Sequence, residues 1–202
     1  MDSFMNVKKE IRILAFDDTP FEKKDKGKKN LIIGVIFRGG GFLDGVLSSY
    51  VVVDGKDATE KIIELVKNTR HLGQLKCIML KGLSFGGFNV IDIKEINKKT
   101  KLPVIVFMRK KPNMKEIYKA LEKAIKNKKS REEKKEIIKK AGKIFSTKIN
   151  NKEVYFQISG IPRKKAEEII KLTATHALVP EPLRVAHLIA QGIVLGESKG
   201  RA

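Results

Sequence analysis

The sequence predicts an α/β fold, a mixed sheet with helices on its faces. Three strand-like runs, residues 11–16, 31–37 and 46–53, follow one another with no room for helices between them. After them, apolar runs of strand length alternate with stretches of helical period, the pattern of β-α units. Composition adds a third observation. Hydrophobic residues make up 42% of 202, enough for a core, while a 6% aromatic share and the absence of Trp make that core aliphatic.

The first run ends abruptly at Asp17-Asp18-Thr19-Pro20, where paired Asp residues and a Pro stop a strand and open a loop. A charged connection, residues 22–29, leads to the second run, which is continuous and rich in β-branched residues, as a strand buried on both faces should be. Arg38-Gly39-Gly40-Gly41 punctuates it, and the third run completes a meander. Residues 58–68 then carry Ile62, Ile63, Leu65 and Val66 at helical spacing; residues 75–80 read as a strand, 88–98 as a helix that Val90, Ile91, Ile93 and Ile96 leave ambiguous, and 103–108 as a strand. Asn113 can cap a helix in which Met114, Ile117, Tyr118, Leu121, Ala124 and Ile125 keep the helical period. Residues 144–147 and 154–158 suit a hairpin turning at Asn150-Asn151. Pro162 opens a helix to Leu172, Pro182 opens the last one, residues 183–193, and the polar tail 196–201 reads as flexible.

Charge narrows the partners. Lys and Arg number 43 against 23 Asp and Glu, a net +20. An imbalance of that size favours a polyanion, so nucleic acid is the expected partner. A heat-adapted surface explains a charged fraction of 33% but not the excess of one sign. Half the excess, +10, lies in residues 109–143, with fifteen basic and five acidic side chains. Lys115, Lys119, Lys123 and Lys126 there form either a solvated helix face or one turned to phosphates. No apolar run approaches the ~20 residues needed to span a bilayer, and residues 1–12 carry no secretory pattern; a cytoplasmic protein without a membrane partner is expected. Cys77 is alone, which excludes an intramolecular disulfide and a Cys-based zinc site. The motifs of P-loop nucleotidases, dinucleotide binders, zinc proteases and serine hydrolases are all missing.

Asp17 and Asp18 close a buried strand, which holds a carboxylate rigidly at the cleft beyond the sheet. That arrangement suits Mg²⁺, which takes one or two carboxylates and keeps several waters; it equally suits a turn or a helix cap. Strand alternation lets only one of the pair point into the cleft. Asp54 and Asp57 follow the third strand, and if that strand lies near the first, either can supply a second carboxylate for phosphodiester hydrolysis. The opposing readings are turn chemistry for Asp54-Gly55 and a helix cap for Asp57. The Gly-rich stretch Lys81-Gly82-Leu83-Ser84-Phe85-Gly86-Gly87-Phe88-Asn89 offers backbone N–H groups to a nucleic-acid backbone.

Several of these stretches carry a family resemblance. Pro180-Glu181-Pro182-Leu183-Arg184-Val185-Ala186-His187 resembles the P-E-P-x-R-x-A-D run of endonuclease V proteins. Phe16-Asp17-Asp18-Thr19-Pro20-Phe21, Asp54-Gly55-Lys56-Asp57-Ala58-Thr59, Gly86-Gly87-Phe88-Asn89-Val90-Ile91-Asp92 and the closing Gly196-Glu197-Ser198-Lys199-Gly200 resemble an archaeal family related to endonuclease V, also described as endonuclease dU. The resemblance covers nearly the whole chain and implies one endonuclease-V-like domain over residues 1–202. Its fold would be ribonuclease-H-like: a mixed five-stranded sheet, the first three strands antiparallel, helices on both faces, and a small C-terminal β/α extension.

The resemblance also implies Mg²⁺-dependent cutting of a strand of DNA, or of RNA, beside a deaminated base, uracil or hypoxanthine, in a repair role. Asp17 matches the first-strand metal ligand, with Asp18 beside it; Asp54 or Asp57 stands nearest the second acidic position. Arg109 takes the place of a functional Lys. Nucleic-acid contacts are expected at Lys81, Phe85, Gly86, Gly87 and Asn89 in the loop, and at Arg109, Lys110, Arg184 and His187. Two positions depart from endonuclease V. Lys81 and His187 stand where that family has Asp, and Lys81 replaces a metal ligand. The alternative is therefore a nucleic-acid-binding protein of the same fold that has lost cleavage.

Overall fold

The structure, a computed structural model, describes residues 7–199, so Gly200 and Arg201 of the polar tail lie outside it. The main strands are β1 (Arg12–Asp18), β2 (Lys29–Arg38), β3 (Phe42–Val52), β4 (Cys77–Lys81), β7 (Val104–Met108), β8 (Phe145–Ile149) and β9 (Lys152–Ser159). These seven make one sheet in the order β3-β2-β1-β4-β7-β9-β8. β1 runs antiparallel to β2 and β2 antiparallel to β3, which is the expected meander. β1, β4 and β7 are parallel, with Phe16 opposite Leu80 and Lys81 opposite Phe107. The five strands of the expected ribonuclease-H-like core are therefore all present.

The C-terminal β/α extension joins the main sheet through its hairpin. β9 pairs antiparallel with β7, and β8 with β9, so the hairpin widens the main sheet from five strands to seven. The physical reason is the free edge of β7, whose N–H and C=O groups β9 satisfies.

Helices cover both faces. α1 (Ala58–Asn68) and α2 (Ile93–Thr100) place Ile62, Ile63, Val66, Ile93 and Ile96 against Leu14, Phe16, Ile32, Ile78, Leu80 and Val106. On the other face, α5 (Arg163–Thr173) and α6 (Glu181–Leu195) place Ile169, Ile170, Leu183, Ala186 and Ala190 against Ile13, Ala15, Ile33, Met79 and Phe107. Strict alternation along β1 sends Ile13 and Ala15 to one core and Leu14 and Phe16 to the other. Continuing it, Asp17 faces α6 and Asp18 faces the α1 side. Two helices carry the basic segment, α3 (Met114–Ala124), capped by Asn113, and α4 (Lys128–Lys140), capped by Asn127.

Residues 88–98 do not form one helix. Two-residue strands β5 (Ser84–Phe85) and β6 (Asn89–Val90) pair across a turn at Gly86-Gly87. The helix starts only at Ile93, where the Asp92 carboxylate accepts from the N–H groups of Lys94 and Glu95 at 3.0 and 2.9 Å. β3 begins at Phe42 rather than Val46, because its first half is exposed and no apolar run marks it. No helix among the described residues is long and apolar enough to cross a membrane.

Candidate active site

The carboxyl ends of β1, β4 and β7 lie along one edge of the sheet, where open α/β sheets bind ligands. Asp17 closes β1 there and is 4% exposed. Its Oδ1 accepts from the N–H of Asp18 at 3.0 Å. Its Oδ2 meets two partners from distant parts of the chain, Lys81 Nζ at the end of β4 at 3.0 Å and His187 Nδ1 on α6 at 2.8 Å. β4 brings Lys81 level with Asp17 through its parallel pairing. α6 brings His187 in because Leu183, Ala186 and Ala190 bury its inner face.

Asp18 serves a different structure. Its Oδ2 accepts from Gly86 N at 2.7 Å and from Asn30 Nδ2 at 3.2 Å, and Thr19 Oγ1 donates to Asn30 Oδ1 at 2.7 Å. Burial pushes the Asp18 carboxyl up to about 6, against the opposing pull of the Gly86 N–H. Between about pH 4 and pH 6 the folded protein holds this proton and the unfolded chain releases it, so the group's contribution to stability falls as pH rises through that window. The expected result is that the stability gained by Asp18→Asn grows from about pH 4 to pH 6 and is flat above about pH 7. Urea titrations at four pH values, read as the difference between the two proteins, check it.

Gly86 also links Asp18 to Asp54, since its carbonyl accepts from Asp54 N at 2.8 Å. Asp54 has a left-handed backbone, φ 58°, and its Oδ1 accepts from Phe88 N at 2.9 Å. Gly87, φ 79°, packs so closely on that carboxylate that a Cβ would lie 2.6 Å from Oδ1. Asp57 is a brace: its Oδ1 accepts from Val52 N at 3.1 Å and from Asn89 Nδ2 at 2.5 Å. The cap on α1 comes from Asn89, whose Oδ1 accepts from Ala58 N at 3.0 Å, and not from Asp57.

Other expected residues are placed as follows. Phe85 and Asn89, expected at a nucleic-acid surface, are fully buried, at 0%, and hold the loop from beneath. Arg184 forks onto Glu181 at 2.8 and 2.6 Å, and that guanidinium holds the Glu181 carboxyl below its usual range. Arg109 and Lys110 are exposed just beyond β7, at the same edge as Lys81. Lys115, Lys119, Lys123 and Lys126 are exposed and make no ion pair among the described residues, whereas Glu122, Glu132, Glu133 and Glu136 are all paired.

Lys134 was not anticipated. It is 2% exposed, reaches the carbonyls of Gly55 and Phe88, and thereby ties α4 to both sides of the Asp54 turn. Burial pushes its ammonium down to about 8. The sequence held one signal, its spacing three and four residues before Ile137 and Ile138 on one helix face.

A family model described as "Endonuclease dU" matches residues 9–194. A protein of Methanosarcina mazei described as "UPF0215 protein" is 50% identical over 204 residues, covering all of both chains. The chain belongs to the endonuclease dU family. Among solved structures, a protein of unknown function from Archaeoglobus fulgidus superposes with a TM-score of 0.80 at 34% identity, over 91% of this chain and 98% of that one. Endonuclease V of Ciona intestinalis, solved in complex with DNA containing an inosine, superposes with a TM-score of 0.56 at 11% identity, over 87% and 82%. The fold is thus that of endonuclease V, ribonuclease-H-like, and the family is one of nucleic-acid endonucleases.

In this endonuclease dU chain Lys81 and His187, which the resemblance sets against Asp in endonuclease V, both converge on Asp17. The Mg²⁺ implied by the resemblance has to be fitted to that set. Asp17 is its only carboxylate, Asp18 faces the other side of the sheet, and Asp54 is bound to the Gly loop. No three His, Cys, Asp or Glu side chains among the described residues are grouped so as to hold a metal. A lysine ammonium on the one available carboxylate oxygen repels a cation. One carboxylate, one imidazole and one ammonium do not fit a hard divalent ion in this arrangement.

Proposed function

We propose that the protein cuts a DNA strand beside a deaminated base, uracil or hypoxanthine, as a repair endonuclease. The observation that carries the reading is the convergence of Asp17, Lys81 and His187 at the open edge of the sheet. The exposed lysines of α3 and α4, with Arg109 and Lys110, suit the phosphate backbone. The Ciona intestinalis protein of the same fold was solved on DNA containing an inosine, and hypoxanthine is the base of inosine.

A place for an extruded base supports the same reading. Directly after Lys81, the residues Gly82, Leu83 and Ser84 line a cavity of about 430 Å³, with Phe88, Ile117, Tyr118 and Gln157 also in its wall. The volume falls in the roughly 300–1,000 Å³ range of small-molecule pockets. Gln157 Nε2 donates to Gly142 O at 2.8 Å, which fixes the amide and leaves Oε1 as an acceptor. Uracil and hypoxanthine both present a ring N–H on the Watson–Crick edge, where cytosine and adenine present a lone pair.

A second reading, nucleic-acid binding with cleavage lost, is favoured by one contact, the Lys81 ammonium on Asp17. The test incubates purified protein with single and double strands that contain uracil, hypoxanthine or neither, with and without Mg²⁺. Cutting confined to strands with a deaminated base is expected. Intact strands together with binding that weakens steeply with salt establish the second reading instead.

A further inference from the structure

We infer that Asp17, His187 and Lys81 form a hydrolytic centre that works without a metal, His187 serving as general base and Lys81 as the cation that meets the phosphate. The inference rests on the endonuclease reading above and says how that cutting is done. It starts from the misfit already described: the one carboxylate at this end of the sheet that could take a cation, Asp17, is occupied by an ammonium and an imidazole.

The three groups are ordered from buried to open. Side-chain exposure rises from 5% at Asp17 to 18% at His187 and 25% at Lys81. An ionised carboxylate only accepts, so the 2.8 Å contact makes His187 Nδ1 the donor. In the neutral form of the ring that tautomer leaves the lone pair on Nε2, which has no hydrogen-bond partner among the described residues. The ring is held from behind by Asp17 at the end of a β-strand and from its own helix by the packing of Leu183 and Ala186. A base oriented by a buried carboxylate, with its other nitrogen unpaired and its side chain partly exposed, is the arrangement that activates a hydroxyl or a water. Lys81 has three donors and spends one on Asp17 at 3.0 Å, leaving two for the non-bridging oxygens of a phosphodiester.

The step balances without a co-reactant. The oxygen of a water forms the new bond to phosphorus while its proton passes to His187 Nε2. The ester P–O bond on the far side breaks, and its electron pair leaves on the sugar oxygen, which takes a proton from solvent. His187 returns its proton to solvent, Lys81 stays protonated throughout, and Asp17 keeps the imidazolium in place.

The experiment follows single-turnover cutting of a uracil-containing strand by the full chain after exhaustive dialysis against EDTA, with EDTA in excess. Cutting is expected to persist within about threefold of its rate in Mg²⁺. His187→Ala is expected to slow it by roughly 10²–10⁴-fold, with strand affinity held within about threefold and with partial recovery in added imidazole. His187→Gln, which keeps the size of the side chain, gives the same loss if His187→Ala does not fold. Lys81→Arg should retain more activity than Lys81→Met, and Lys81→Asp should stay inactive in Mg²⁺. Cutting that EDTA abolishes and Mg²⁺ restores, or Mg²⁺-dependent cutting that rises in Lys81→Asp, overturns the metal-free centre and leaves the endonuclease reading standing. A strand left intact under every condition overturns both.

Discussion

Asp17→Asn is expected to lower the rate of strand cutting by roughly 10³–10⁴-fold while the protein stays folded and keeps binding. The amide matches the carboxylate in size, so the end of β1 is not emptied. Its chemistry is wrong in two ways. It carries no charge to hold the Lys81 ammonium, 3.0 Å away. Its N–H₂ can also turn toward His187 Nδ1, now 2.8 Å from Oδ2, and put the proton of the neutral ring on Nε2, where the free lone pair is needed. Lys81 is partly exposed and can swing to solvent, so no charge is stranded in the core. Single-turnover cutting, strand affinity and thermal unfolding of the two proteins separate these outcomes. Cutting at the wild-type rate in Asp17→Asn would remove the residue from the site.

Leu183→Ala is expected to cost about 2–5 kcal/mol, because Leu183 is fully buried at 0% between α6 and the sheet. For a chain of this size the midpoint should fall by on the order of 10 °C. Leu183 stands one helical turn before His187, so the same change loosens the helix that delivers the ring to Asp17. Cutting at a temperature where the variant is still folded should drop as well, through a lower rate more than through weaker binding. The comparison is Ile193→Ala on the same helix, which is 60% exposed and should change stability by no more than about 0.5 kcal/mol. Equal losses from the two substitutions would show that α6 is not anchored through Leu183.

Much of the fold was legible because it rests on local pattern. The apolar runs of β1 and β2, the meander, and the Asn113 cap were read directly from residue order. The limits were physical. β3 starts early on an exposed edge where no hydrophobic run marks it. The stretch after β4 looks helical by composition, yet Gly86 and Gly87 turn it into a two-residue hairpin before Asp92 can cap α2. The hairpin of β8 and β9 was visible, but its docking on β7 depends on a free sheet edge that no local pattern encodes.

The site was legible only in part. Strand alternation foretold that one of Asp17 and Asp18 would face the cleft, and a resemblance singled out Lys81 and His187. That both reach the same oxygen of Asp17 could not be read, since they lie 64 and 170 residues away in sequence. Asn30, Lys134 and the bracing part played by Asn89 escaped for the same reason. Each is a buried polar side chain whose partners come from distant loops, and hydrophobic periodicity carries no signal for it.

The most direct test of the account is the ratio of cutting at uracil to cutting at cytosine at one position of otherwise identical end-labelled strands. The account predicts a single product that ends beside the uracil, with the cytosine strand left whole. Products of equal yield from both strands, or scission spread along each, would contradict it.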